Sequence, residues 1–289
     1  MHALQSVATG IGRLAAIERH AFERGEHRFQ TLRAFGVAGR ACVIEHRGVG
    51  EEQHGDRLRA HMRRLQGRVM RAAMTDVTPE LLAQRKRAAA SPRRATIADL
   101  APVSRTLARA FATDPVVDWF VRDDSQRDRA MKTWFDFAVT KLGLPGGETW
   151  MSEDAATVAL WIPPPQDAMQ LSFVDEIAAI PTFLSVVSFA RLGRMQRLRA
   201  AFDANHPKAP HWYLFFLAVD PDCQGQGLGS AILKATLEKV DAQKQAAYLE
   251  ASSEKNVTLY LRHGFEVTTE FKPEPAGPTL WPMWRKPQT

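Results

Sequence analysis

The stretch VDPDCQGQGLGSAI (residues 219–232) joins an apolar segment to a segment with helical spacing. Residues 211–219 (HWYLFFLAV) are apolar except for the first, as in a buried strand. Gly225, Gly227 and Gly229 then occupy alternate positions at the start of the helical segment. Because a helix N-terminus carries unpaired N–H groups and glycine lets an anion approach them, the stretch predicts a strand, a phosphate-binding turn and a helix.

The alternating glycines are compatible with two further structures. A tight strand-to-helix turn needs glycine for its own dihedral angles, although Gln224 and Gln226 add amide donors that favour the phosphate site. The dinucleotide-binding fingerprint has similar spacing, with Ser230 as its third small residue and Glu250 near the position of its ribose-binding acid. It fits poorly, because residues 220–224 separate the turn from the strand. A P-loop is excluded at this turn, which lacks Gly-Lys-Ser/Thr.

The rest of the C-terminal half alternates strands and helices, which predicts an α/β fold with parallel central strands. Upstream, the pattern predicts a hairpin, and a helical region that is interrupted at Pro181. The predicted strands are 95–97, 149–153, 157–162, 212–219, 247–252, 265–271 and 280–285, and the predicted helices are 99–111, 125–142, 167–202, 228–242 and 254–263.

The composition is that of a globular protein, with 45% hydrophobic and 24% charged residues among 289. No apolar run approaches the roughly 20 residues that span a bilayer, and residues 1–30 lack the pattern of a secretory signal. The two cysteines, Cys42 and Cys223, cannot form a disulfide framework and have no zinc-site spacing. We therefore expect a cytoplasmic protein with no membrane segment and no metal.

The net charge of +6 comes from the N-terminal third. Residues 1–94 carry a net charge of +9, so the remainder is slightly acidic. The arginine-rich helical pattern at 56–73 is compatible with a nucleic-acid-binding arm, but no aromatic residues accompany it as in single-strand binders. We predict a basic extension at 1–93, either poorly ordered or the product of an upstream start site, followed by a catalytic domain at 94–289.

Two motifs in the second half resemble those of the GCN5-related N-acetyltransferases (GNAT). Residues 224–229 (QGQGLG) resemble the pyrophosphate motif of this family, and residues 256–265 (NVTLYLRHGF) resemble its second acetyl-CoA segment. The region from 94 to 289 is also similar to the puromycin N-acetyltransferase branch. The stretches that carry this similarity are RTLARAF at 105–111, HPKAP at 206–210, YLEAS at 248–252 and WRKP at 284–287.

The resemblance implies a mixed, twisted central sheet flanked by helices, with a V-shaped acetyl-CoA cleft between two parallel central strands. It also implies that the strand before the turn pairs its backbone with the pantetheine arm, and that one N–H there faces the thioester oxygen. The implied cofactor-binding residues are Leu217, Ala218 and Val219 on the strand, Gln224, Gly225, Gln226, Gly227, Leu228, Gly229 and Ser230 at the turn, and Asn256.

Within this resemblance Tyr260 is the candidate general acid, because a phenol with a pKa near 10 can protonate a departing thiolate with a pKa near 8.5. Glu250 is the candidate general base for the amine. A simpler role is open for each: ring packing for Tyr260, a solvent-exposed strand end for Glu250, and a helix N-cap for Asn256. His206, His211 and His263 are weaker candidates. No enzyme nucleophile is needed, so Cys223 is expected to be a loop cysteine.

The acceptor is predicted to bind among the helices near 111–119 and 134–142, together with the hairpin and the helical insert at 167–202. Aromatic residues there could form its walls, and the acidic cluster at 114–128 would attract a cationic amine. We expect an acetyl-CoA-dependent N-acetyltransferase that acts on the primary amine of a small, antibiotic-like molecule. The alternatives are a protein or peptide amine acetyltransferase of the same fold, and a nucleic-acid-associated regulator that uses the basic N-terminal arm.

Overall fold

A computed structural model of the chain describes residues 78–146, 148–165 and 173–288. Predictions about residues 1–77, including the basic arm, lie outside these residues. Within the described ranges, no helix combines the length and the apolar character that crossing a bilayer requires.

Seven strands form one mixed sheet in the order β1-β2-β3-β4-β5-β7-β6. The predicted hairpin is confirmed as an antiparallel pair, β2 with β3, and the predicted parallel pair as β4 with β5. The remaining neighbours in the sheet are antiparallel. The strands are β1 (Arg93–Arg94), β2 (Glu148–Met151), β3 (Thr157–Ile162), β4 (Trp212–Val219), β5 (Ala247–Ala251), β6 (Glu266–Val267) and β7 (Trp281–Arg285).

The helices flank this sheet, and α4 runs on into a π-helical turn at Val139–Gly143. The predicted interruption at Pro181 is wrong, because this proline lies inside α5. The break follows instead at Ser188, which has a φ of 60° before a short 3-10 turn. The helices are α1 (Pro79–Ala90), α2 (Leu100–Ala110), α3 (Pro115–Phe120), α4 (Arg127–Ala138), α5 (Phe173–Val187), α6 (Leu192–Asn205), α7 (Leu228–Ala242) and α8 (Glu254–Leu261).

Strands β4 and β5 diverge soon after they meet. Their parallel pairing joins Trp212 to Ala247 and Tyr213 to Tyr248, and goes no further. On its other side β4 pairs with β3 as far as Val219, and this pairing contains a bulge at Phe215. A bulge bends a strand and increases its local twist. The gap between the two strands is the V-shaped cleft that the family resemblance implies.

The two faces of the sheet carry separate hydrophobic clusters. Helices α2 to α6 contribute to one cluster, which includes the buried rings of Phe135 and Phe216. Helices α1, α7 and α8 contribute to the other, which includes Leu214 and Leu233. Side chains along β4 alternate between the two faces, as expected for a buried strand, except at the bulge, where Phe215 and Phe216 both pack in the first cluster.

Helix α1 lies before the predicted boundary at residue 94 and packs on α7. Ala89 is fully buried in the cluster that contains the α7 residues, and Thr78 caps the helix by accepting from Leu81 N at 3.3 Å. Residues Thr78–Thr289 fall within one compact unit. The division into 1–93 and 94–289 stays a prediction, since most of the first segment lies outside the described residues.

Leu233 on α7 provides a test of this packing. It is fully buried, so Leu233→Ala removes apolar contacts and leaves a cavity, which costs about 2–5 kcal/mol of the free energy of unfolding. The next residue, Lys234, is exposed, and Lys234→Ala is expected to change stability by less than about 0.5 kcal/mol. Urea unfolding followed by tryptophan fluorescence measures both. Equal effects of the two variants would contradict the described packing of α7.

Candidate active site

A cavity of about 170 Å³ opens at the gap between β4 and β5. Its floor is formed by Tyr213–Leu217 of β4 and by Leu249–Ala251 of β5 with the following Ser252. Its walls come from the end of α2 and from α3, α4, α6 and α8. Four charged residues reach it: Asp114, Arg199, Asp203 and Glu250. The apolar lining residues on the walls are Phe111, Val116, Val117, Phe120, Trp134, Met195, Leu198, Phe202 and Leu280.

Glu250 projects from β5 into this cavity, and its side chain is only 3% exposed. Its Oε1 lies 3.6 Å from Nδ1 of His206 and has no hydrogen-bond partner among the described residues. Burial, together with the nearby Glu250 charge, raises the pKa of the phenols of Tyr213 and Tyr248. The side chain of Glu250 is therefore buried beside aromatic rings, and the expectation of a solvent-exposed strand end does not describe it.

Tyr260 on α8 lines the same cavity and is 8% exposed. Burial, and then the negative charge of Asp114, raise its pKa above the usual value near 10. The phenol therefore keeps its proton at neutral pH, but it is a weaker acid than an unperturbed tyrosine. Asp114 itself caps α3, accepting from Val116 N at 2.9 Å and Val117 N at 3.1 Å, and the hydroxyl of Ser252 donates to it.

Asn256 is not the N-cap of its helix. Ser253 takes that position, and its hydroxyl oxygen accepts from the Asn256 N–H at 3.4 Å. Asn256 lines the cavity one helical turn before Tyr260. The sequence was compatible with either an N-cap or a ligand-binding role for Asn256. The structure assigns the N-cap to Ser253.

The glycine turn has the shape that a bound anion would need. Gly225 and Gly227 have φ values of +76° and +81°, which glycine adopts without strain. No atom lies within 4 Å of a Cβ placed on Gly225, so the space above this residue is open. Gly229 serves packing instead, since its Cβ would lie 3.2 Å from Val219. The N–H groups of residues 225–230 have no hydrogen-bond acceptor among the described residues.

Several side chains of the predicted cofactor site are used within the protein. The side-chain amide of Gln224 donates to the carbonyl of Val219 at 3.1 Å, which fixes the turn to the end of β4. The hydroxyl of Ser230 lies 2.7 Å from Nε2 of His263. Leu228 is buried in the core with 1% exposure. At these three positions the main chain, rather than the side chain, is left to contact a ligand.

The three predicted strand residues lie where β4 has no partner on the β5 side. Leu217 lines the cavity, Ala218 is buried in the core with 1% exposure, and Val219 is half-buried beside Gly229. Their backbone groups on this side face the gap. Gln226, between the two positive-φ glycines, is half-buried.

Burial shifts the pKa of three weaker candidates from the sequence, two histidines and a cysteine. Burial lowers the pKa of His211, whose Nδ1 lies 2.7 Å from the carbonyl of Ala209. Burial also lowers the pKa of His263. The thiol of Cys223 is 3% exposed, and burial raises its pKa, which disfavours the reactive thiolate.

The acidic cluster at 114–128 does not line the cavity as a group. Asp118, Asp123 and Asp124 pair with arginines at 3.1, 2.5 and 2.5 Å, so only Asp114 of the cluster reaches the cavity wall. The sequence analysis missed Asp203 of α6, which lines the cavity and accepts from Arg199 at 3.3 Å. The (i, i+4) spacing of this pair was visible in the sequence, but its position over the sheet was not.

This arrangement defines a class of protein. A mixed sheet whose central parallel strands diverge, with a glycine turn leading from one of them into a helix, is the fold of the GNAT acetyltransferases. Residues 186–267 match the family model described as "Acetyltransferase (GNAT) domain". The match covers residues 186–267, and together with the fold it supports an N-acetyltransferase of the GNAT type. Acetyltransferases with this fold use acetyl-CoA.

One solved structure supports the same fold, and a second is reported beside it. A structure from Corynebacterium glutamicum, described as histone acetyltransferase HPA2 and related acetyltransferase, is 26% identical with a TM-score of 0.53. The similarity covers 68% of this chain and 96% of that one. The polyamine N-acetyltransferase of Drosophila melanogaster is 14% identical with a TM-score of 0.47, over 68% of this chain and 98% of that one.

No group of three or more His, Cys, Asp or Glu residues within the described ranges is arranged to hold a metal ion. The cavity is lined by carboxylates and the phenol of Tyr260, and the unpaired backbone of β4 borders it.

Gly227 provides a test of the turn. Gly227→Ala places a methyl group at a φ of +81°, which costs about 1–2 kcal/mol, and the methyl would stand beside the open N–H groups. We expect the affinity for coenzyme A to fall at least tenfold, measured by calorimetric titration. The control is Gly193→Ala on α6, where φ is not positive and coenzyme A affinity should not change. Unchanged affinity in Gly227→Ala would contradict an anion site at this turn.

Proposed function

We propose that the protein transfers the acetyl group of acetyl-CoA to the primary amine of a small molecule by direct attack on the thioester. The observation that carries this proposal is the position of one cavity. It is bordered by the unpaired edge of β4 and by two buried titratable residues, Glu250 and Tyr260. The open glycine turn follows that edge after a short 3-10 turn at Pro221–Cys223. An acyl donor and an amine acceptor would meet at this point.

The residues present fit coenzyme A. The open N–H groups at 225–230 and the positive end of the α7 dipole would hold its diphosphate. The unpaired backbone of Leu217 to Val219 would bind the pantetheine amides as an added strand does. Asn256 would donate to the same arm from the facing helix. Acetyl-CoA supplies the activated acetyl thioester.

Three groups of this chain would perform the transfer. Glu250 would take the proton from the ammonium group of the acceptor, and its buried, unpartnered oxygen supports this role. A backbone N–H of β4 near Leu217 would donate to the thioester oxygen as negative charge develops on it. Tyr260 would then protonate the departing thiolate. Its raised pKa means that the phenol is protonated when the reaction begins. The phenolate would regain a proton from the nitrogen of the acylated amine, which carries one proton more than the amide product.

The cavity favours an amine with an apolar body. Its walls are mainly aromatic and aliphatic, and its carboxylates lie at Asp114, Asp203 and Glu250. A protonated amine would be drawn to the carboxylates while the rest of the molecule is buried against the rings. Its volume of about 170 Å³ supports a small molecule over a peptide segment. We also propose, on the motifs quoted above, that the chain lies near the puromycin N-acetyltransferase branch, and, on its cysteine content, that it works in the cytoplasm.

A panel of amines tests the proposed reaction. The full-length protein is titrated with acetyl-CoA by calorimetry, and release of free coenzyme A thiol is then followed with 2-phenylethylamine, spermidine and a lysine-containing peptide. We expect kcat/KM for the arylalkyl amine to exceed that for the other two at least tenfold. Preference for the peptide would instead support the protein-acetyltransferase alternative. No heat with acetyl-CoA would refute the proposal.

The two catalytic roles predict losses in kcat. Glu250→Gln and Tyr260→Phe should each lower kcat about 100-fold while the Kd for acetyl-CoA changes less than twofold, because each removes a proton-transfer group. Glu254→Gln, at an exposed position in the first turn of α8, is the matched control and should keep full activity. If a variant of Glu250 or Tyr260 retains more than half of kcat, the residue that it replaces has no role in proton transfer.

A further inference from the structure

Helix α1 places a lysine beside the glycine turn. The Cε atom of Lys86 is the one atom within 4 Å of a Cβ placed on Gly227, at 3.9 Å, among the residues that the structure describes. Gly227 is the N-cap of α7 and has no side-chain capping bond. The ammonium nitrogen is one bond beyond Cε, so it can reach an anion that is held by the N–H groups of the turn. Helix α1 precedes both family motifs in the sequence.

The position of Lys86 is fixed by packing, although its side chain is exposed. Three residues further along α1, Ala89 is fully buried in the cluster that contains Leu228 and Leu233 of α7. Arg85, the residue before Lys86, has its Nε 3.9 Å from Oδ2 of Asp154. This contact ties α1 to the turn between β2 and β3. The base of the Lys86 side chain is therefore held over the start of α7.

The positive charge of Lys86 is available to bind an anion at this position. Within the described residues, no carboxylate lies within ion-pair distance of its ammonium group, whereas Arg109 is engaged by Asp220 and Asp222 on the other part of the turn. Both acids next to the turn are thus paired with one arginine of α2, and Lys86 at the approach to the N–H groups has no carboxylate partner among the described residues. An ammonium group favours a phosphate at a helix N-terminus for the same electrostatic reason as the helix dipole does.

We propose that Lys86 binds the diphosphate of coenzyme A, so that the cofactor site includes a helix from the segment before the predicted catalytic domain. This inference rests on the proposed function. Lys86 acts on cofactor binding and does not touch the reacting atoms, so its loss raises the Kd for coenzyme A and leaves kcat at saturating acetyl-CoA unchanged.

Calorimetric titration of the full-length protein with coenzyme A and with dephospho-coenzyme A tests this proposal. We expect Lys86→Ala to raise both Kd values about fivefold, and Lys86→Glu more than tenfold, since an exposed charge pair is replaced by repulsion. Lys86→Arg should stay within twofold of the wild type. These differences should shrink in 0.5 M NaCl, which screens exposed charges.

The control is Arg87→Ala, which removes the neighbouring exposed cation of the same helix and should leave both Kd values unchanged. A Kd for Lys86→Ala that equals that of Arg87→Ala would overturn the proposal. A loss seen with coenzyme A but not with dephospho-coenzyme A would move the contact to the 3′-phosphate and overturn the diphosphate assignment. Absence of binding by the wild type would overturn the proposed function itself, which separates the two failures.

Discussion

The divergence of β4 from β5 is the constraint on which the site depends. The two strands share only two residue pairs, yet each is fully paired on its outer side, β4 with β3 and β5 with β7. These outer ladders keep the strands apart, and the bulge at Phe215 bends β4 just beyond the last shared pair. Backbone groups that would be costly to leave unpaired in a closed core therefore face a gap that a ligand can fill.

The sheet also separates the two halves of the proposed reaction. The cluster formed by α2 to α6 lies on the face that supplies most of the cavity wall, whereas the cluster of α1, α7 and α8 supports the glycine turn. Side chains and backbone of β4 serve both, because alternate residues enter opposite clusters while the strand edge stays open. In the proposed reaction the acetyl donor would be held from the face with the glycine turn and the amine acceptor from the other face. The two would meet at the gap.

Local signals in the sequence predicted the elements that carry the cofactor motifs. The long apolar strand, the alternating glycines and the helix after Ser253 each depend on neighbouring residues, and each lies where expected. Contacts between distant segments had no such signal. Ser230 meets His263 across 33 residues, and Ser252 meets Asp114 across 138. Pairings of this kind depend on packing of whole elements, so neither the internal use of Ser230 nor the place of α1 could be read from spacing.

Burial decides what the titratable groups of the cavity can do. Glu250, Tyr260 and Asp114 are grouped in a mainly apolar space, where like charges and desolvation disfavour ionisation of the phenol. A cationic amine that enters this space meets carboxylates that water no longer screens, so its attraction to them is stronger than at the surface. The same surroundings hold the proton on Tyr260. In the proposed reaction the cavity would thus bind the amine as a cation, and the chemistry would begin only when Glu250 accepts its proton.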